Sequence, residues 1–132
     1  MLRILLVDDH DMVRKRIRLM IQGRKNWKVC GEAADGREAI HKHSVLRPHV
    51  VVMDFSMPRL NGIDASRRIL KDHPSACILM ISVSESQQLM EEVKKVGIKG
   101  FCSKSSMDAL FDAVEALLRG ETYFPGRQTY KQ

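Results

Sequence analysis

The sequence predicts an α/β fold: a doubly wound parallel sheet of five strands with helices on both faces. Three observations predict it. Five short apolar runs, at residues 3–7, 28–33, 49–53, 77–82 and 99–102, recur along the 132-residue chain. Longer stretches of helical period lie between them, the alternation that builds βα units. Two runs, Ile4–Val7 and Val50–Met53, are continuously apolar, which marks strands covered on both faces and makes these two the expected centre of the sheet.

The elements follow in chain order. Arg3-Ile4-Leu5-Leu6-Val7 enters the first strand at once, without the basic head and long apolar stretch of a secretory signal. Val13, Ile17, Met20 and Ile21 then fall at i, i+4, i+7 and i+8, one face of a helix. Weaker helical patterns surround Ala39-Ile40 and run from Ile63 to Leu70. Leu89, Val93 and Val96 mark another helix, and Leu110, Ala113, Val114 and Leu117 the last. Ser105 with Asp108 resembles a capping box with Asp in the Glu position, which predicts that the last helix begins there. Gly120 suits its stop. Residues 121–132 carry no apolar period, and Pro125-Gly126 reads as a tail or the start of a linker.

Hydrophobic residues make up 44% of the chain and charged residues 29%, the balance of a single soluble domain. Runs such as Ile78-Leu79-Met80-Ile81 are far too short to cross a bilayer, so no membrane role is expected and the cytoplasm is the default location. Cys30, Cys77 and Cys102 are odd in number and sit in or beside apolar runs; they read as core residues of a reducing compartment. Net charge is +6. The densest cluster is Arg14, Lys15, Arg16 and Arg18 with Arg24, Lys25 and Lys28. Only Trp27 interleaves with it, so the stacking platform of a single-strand binder is missing, and a solvated face is the leading reading.

Ligands of such folds bind outside the carboxyl ends of the strands, where strand order reverses. The first strand ends in Asp8-Asp9, the third in Asp54, the fourth in Ser82, and Lys104 follows the fifth. Three carboxylates so close would raise one another's pKa without a cation. Mg²⁺, with Mn²⁺ as its substitute, suits a site of few carboxylates that bridges to phosphate oxygens. A carboxylate can attack phosphorus and form an aspartyl phosphate, and Lys104 and Ser82 could contact the transferred group. Singly, each residue has a plainer reading. Asp8 and Asp9 could cap a helix, Asp54 could be a turn residue, Ser82 a satisfied strand end, Lys104 a surface lysine and Phe101 a core ring. Their joint placement favours the site. The five histidines show no convincing metal-ligand arrangement.

Asp8-Asp9, Asp54 with Met57-Pro58 and Gly62, Ser82, and Phe101-x-x-Lys104 together resemble the motif set of response-regulator receiver domains of two-component signalling. The resemblance covers roughly residues 2–119. It implies a flavodoxin-like sheet of order 2-1-3-4-5, a receiver domain over residues 1–120, and a tail or linker over 121–132. It also implies roles: Asp54 as phosphoacceptor from a histidine kinase, and Mg²⁺ held by Asp8, Asp9, Asp54 and the backbone carbonyl of Ser56. Lys104 would pair with Asp54 and then with the phosphoryl group. Ser82 and Phe101 would form a switch pair, the hydroxyl moving to the phosphate and the ring turning inward.

Asp8-Asp9-His10 with Val13-Arg14, and Gly120-Glu121-x-Tyr123-Phe124, look like the NarL/FixJ-type subfamily, whose members usually continue into a LuxR-type helix-turn-helix. The expectation is a receiver fragment that dimerises on phosphorylation and reaches DNA only through a missing C-terminal module; a stand-alone receiver acting through protein contacts is the alternative. Val83 stands where the family usually has Ala or Gly, and its stiff β-branched side chain would modulate access to Asp54. A phosphohydrolase is disfavoured, because Ser56 stands where such enzymes often carry a second Asp, so no turnover enzyme is expected. A receiver-like module that never takes phosphate and direct nucleic-acid binding are weaker readings.

Overall fold

The computed structural model describes residues 1–124. Strands β1 (Leu2–Val7), β2 (Trp27–Ala33), β3 (Val50–Asp54), β4 (Ile78–Ser82) and β5 (Gly100–Ser103) alternate with helices α1 (Asp11–Gln22), α2 (Gly36–Leu46), α3 (Gly62–Asp72), α4 (Gln87–Val96) and α5 (Leu110–Leu118). All paired strands are parallel, in the order β2-β1-β3-β4-β5. The order reverses between β1 and β3, so the carboxyl ends of these two strands flank the crevice where ligands enter such sheets.

Side-chain alternation along each strand splits the core into two layers. Leu5, Val7, Val51, Met53, Ile78, Met80 and Phe101 face α2, α3 and α4 through residues such as Ala39, Ile63, Ile69 and Val93. Ile4, Leu6, Val50, Val52, Leu79, Ile81 and Cys102 face α1 and α5 through Ile17, Ile21, Leu110, Val114 and Leu117. Burial of β1 and β3 is as expected, but β4 and β5 are buried throughout as well. The outer edge of β5 is covered by the chain beyond α5: Tyr123 accepts from the Phe101 N–H at 2.8 Å and donates to Lys99 O at 3.0 Å.

Helix ends show which sequence signals act. The Asp35 side chain caps α2 by accepting from Glu38 N at 2.9 Å, and the Glu38 carboxylate accepts from Ala34 N at 2.8 Å, a reciprocal pair of caps. Asn61 caps α3 and Ser86 caps α4. Gly120, at φ +82°, ends α5 as expected: its N–H donates to Leu117 O, and the Glu121 N–H to Ala116 O. The expected start of the last helix at Ser105 is corrected. Residues Lys104–Ala109 form a 3₁₀ helix kinked at Ser106, capped by Ser103, and α5 begins only at Leu110. Ser103, the last residue of β5, supplies the capping hydroxyl, which accepts from Ser105 N at 3.2 Å.

The basic cluster is divided by its partners. Arg14 and Arg18 both bind Glu32 on β2, while Arg24 binds Glu115 and lies over the Trp27 and Phe111 rings, which meet edge to face. The three cysteines are free thiols; Cys102 is buried, but Cys30 and Cys77 are only partly so, short of the core positions expected for them. Among the described residues no helix is long and apolar enough to cross a membrane.

Candidate functional site

Asp8, Asp54, Ser82 and Lys104 are delivered by the carboxyl ends of strands. Asp8 follows β1 and is tied to the sheet, its N–H donating to Ala33 O at 3.0 Å, while Arg14 Nη1 donates to its carbonyl at 2.7 Å. Asp54 is the last residue of β3 and Ser82 the last of β4. Lys104 opens the 3₁₀ helix directly after β5.

These residues meet. Lys104 Nζ lies 2.8 Å from Asp8 Oδ2 and 3.1 Å from Asp54 Oδ1, so the lysine bridges both carboxylates rather than Asp54 alone. Asp8 and Asp54 are almost wholly buried, as is Ser82, whose Oγ accepts from the Ser84 N–H at 3.1 Å. Ligand atoms of Asp8, Asp9, His10 and Asp54 all lie within 4.8 Å of one another. A cavity of about 270 Å³ opens over them, lined by His10, Asp54, Ser56, Ser82, Val83 and Lys104 among others. Val83 stands at its mouth, 77% exposed, whereas Phe101 is fully buried beneath the sheet's edge in the layer facing α2–α4.

The floor of this cavity is electrostatically tense. Burial and the neighbouring Asp8 charge push the Asp54 carboxyl up to about 6, against the pull of Lys104 and the Ser56 N–H. Burial alone would lower Lys104, but its bonds to Asp8 and Asp54 outweigh that and hold it above the usual lysine range. Asp54 Oδ2 is buried and accepts no hydrogen bond among the described residues. A buried carboxylate oxygen without a donor is costly, and a hard divalent cation held by oxygen ligands is the group that satisfies it. The donor set of three carboxylates therefore fits Mg²⁺ or Mn²⁺.

Gly62 makes the geometry possible. A Cβ at this position would lie 2.1 Å from Asp54 O, so only glycine lets the start of α3 pass behind the phosphoacceptor candidate, with its N–H donating to Phe55 O at 2.8 Å.

His10 is the site residue the sequence reading missed. Its ring Nδ1 lies 3.3 Å from Asp8 Oδ1 and 3.2 Å from Asp9 Oδ1. The available signal was adjacency to the Asp pair; histidine spacing along the chain carried none. His43 and His73, distant in sequence, stack with ring centroids 5.1 Å apart, away from the acidic cluster.

Comparison with known proteins places this chain and its fold in a class of signalling domains. The family model described as response regulator receiver domain matches residues 4–115, and the chain belongs to that family. The response regulator GacA of Pseudomonas protegens is 32% identical over 124 residues, covering 93% of this chain and 58% of GacA. The chemotaxis protein CheY of Thermotoga maritima is 40% identical over 102 residues, covering 77% of this chain and 84% of CheY. Among solved structures, a LuxR-family two-component response regulator from Aurantimonas superposes with a TM-score of 0.89 at 35% identity, covering 92% of this chain and 87% of that one. The isolated REC domain of RcsB from Salmonella enterica gives 0.86 at 26% identity, covering 95% and 94%. The expected family, LuxR-type relatives and flavodoxin-like strand order are thus all found. The chain spans a little over half the length of the GacA relatives it matches.

Proposed function

We propose that this chain is the phosphoacceptor domain of a two-component response regulator and that Asp54 takes the phosphoryl group from a histidine kinase. The observation that carries the reading is the buried Asp54 carboxylate with one unpartnered oxygen, at the floor of a cavity whose walls supply Lys104 and Ser82. With a pKa of about 6, Asp54 is predominantly ionised at neutral pH and can act as the nucleophile.

In the transfer an Asp54 carboxylate oxygen forms a bond to phosphorus as the donor's N–P bond breaks. The imidazole of the kinase leaves with that electron pair and takes a proton from solvent. Asp8, Asp9, Asp54 and the Ser56 carbonyl would hold Mg²⁺, which when bound would supply positive charge to the phosphoryl oxygens. Lys104 keeps its ammonium within reach of Asp54 Oδ1 and adds a second positive contact. Ser82 would exchange its bond from the Ser84 N–H for one to a phosphoryl oxygen. Phe101 already lies inside the core while the Ser82 hydroxyl still accepts from the Ser84 N–H, so in the proposed switch the inward ring position precedes the movement of the hydroxyl. The β-branched Val83 at the cavity mouth would meter access by donors and by attacking water.

The chemistry is one transfer per cycle on the protein's own side chain, not turnover of a substrate. The output is a changed surface that promotes a homodimer and, through a LuxR-type helix-turn-helix beyond the receiver, DNA binding in the cytoplasm. LuxR-family relatives favour that output over a stand-alone receiver. Incubation with phosphoramidate or acetyl phosphate and Mg²⁺, and then with a phosphorylated kinase, should add the mass of one phosphoryl group to the parent chain. Asp54→Ala should gain none. No added mass from the kinase as well as the small donors would refute the reading.

A further inference from the structure

The N-cap position of α1 is occupied by His10, where short oxygen-bearing side chains are favoured. Its side chain makes no cap hydrogen bond. The ring turns back instead, setting Nδ1 at 3.2–3.3 Å from one oxygen each of Asp9 and Asp8. Beneath them lies the buried, unpartnered Asp54 Oδ2. An imidazole nitrogen thus stands within a group of carboxylate oxygens close enough to share one ion. Oxygen-only sets suit Mg²⁺, whereas imidazole favours borderline ions such as Ni²⁺, Cu²⁺ and Zn²⁺.

We propose that His10 gives the pocket a nitrogen ligand, so that it selects transition-metal dications over Mg²⁺ more strongly than its carboxylates alone would. The inference rests on the reading of the acidic cluster as a metal site. Ligation uses the neutral ring with its proton on Nε2, leaving the Nδ1 lone pair for the metal. The rival account is that Nδ1–H merely donates to Asp8 and Asp9.

The test is titration calorimetry of Ni²⁺ and of Mg²⁺ into the whole chain, His10→Ala and His10→Gln. His10 is 65% exposed at its side chain and caps nothing, so both variants should fold. Even groups that only support a ligand are worth about 10–100-fold in metal affinity, so direct ligation predicts that the Ni²⁺-to-Mg²⁺ affinity ratio falls at least about tenfold in both variants. Excess Mg²⁺ should displace Ni²⁺ from the parent. Cu²⁺ bound at the site should show nitrogen hyperfine coupling in its EPR spectrum that both variants lose. An unchanged ratio with normal Mg²⁺ binding overturns the role of His10 and leaves the metal site standing. Failure of both ions to bind, with Asp9→Asn no different from the parent, overturns the metal site and the inference with it.

Discussion

Replacing Asp54 by Asn should stabilise the metal-free fold at neutral pH, although it removes the side chain on which the proposed function depends. The carboxyl is 2% exposed and its pKa rises from 3.8 to about 6 on folding. A raised carboxylate pKa means that the folded state holds its proton more tightly than the unfolded chain. The resulting penalty is absent below the unfolded value, grows as pH rises through the interval, and is complete above the folded value. Just over two pKa units correspond to about 3 kcal/mol in the ionised state, and roughly 2 kcal/mol of that should develop between pH 4.5 and 7.5. The assay is urea unfolding in EDTA, for parent and Asp54→Asn, at both pH values. The quantity to read is the change in their stability difference, since other titrating groups, His43 among them, cancel between the two proteins. The pull of Lys104 needs no separate correction, because it acts on the ionised carboxylate and is already contained in the value of about 6. A stability difference that stays constant from pH 4.5 to 7.5 would show that burial and Asp8 do not strain this carboxylate.

Lys104→Met should push the Asp54 pKa above its present value of about 6, seen in a carboxyl NMR titration, because the ammonium 3.1 Å away opposes the rise. It should also lower stability at pH 7.5. Val83→Ala should speed phosphorylation by acetyl phosphate or shorten the life of the phosphoryl group, with a stability change within about 0.5 kcal/mol as expected for an exposed site; equal rates in both directions would remove the access role. Gly62→Ala should cost about 1–3 kcal/mol or more in urea unfolding, because its Cβ would lie 2.1 Å from Asp54 O, and it should slow phosphorylation by shifting that backbone.

The legible parts of the structure were those set by nearest neighbours along the chain. Alternating apolar runs placed all five strands to within a residue or so, and the residues at or just past their carboxyl ends named Asp8, Asp54 and Ser82. The less legible parts depend on distant partners. Helices α2 and α3 gave weak patterns because much of what they bury is small or polar: Gly36, Ala39 and His43 in one, Gly62, Ala65 and Ser66 in the other. The full burial of β5 needs Tyr123, which closes its edge from beyond α5. Ser105 matched a capping pattern, yet Ser103 holds the cap because the chain leaves β5 already turning. The basic cluster looked like a patch in sequence, but Glu32 and Glu115 divide it. His10 is the same case: its role depends on a ring orientation that no residue spacing encodes.

Charge balance orders the events at the site. Three carboxylates facing one ammonium leave a formal excess of two negative charges in a largely buried pocket, and a divalent cation cancels it. Phosphorylation then replaces the single charge of Asp54 with roughly −1.5 to −2, so the phosphorylated pocket is again short of positive charge even with the cation present. Linkage makes this reciprocal: if the cation favours the phosphoryl group, the phosphoryl group must tighten the cation by the same factor. Mg²⁺ should therefore bind the phosphorylated chain, or one carrying a stable phosphoryl mimic on Asp54, more tightly than the free chain. Titration calorimetry on both forms reads the ratio. Equal affinities would mean that Lys104 alone absorbs the added charge, and the metal would then serve to position the donor rather than to neutralise the product.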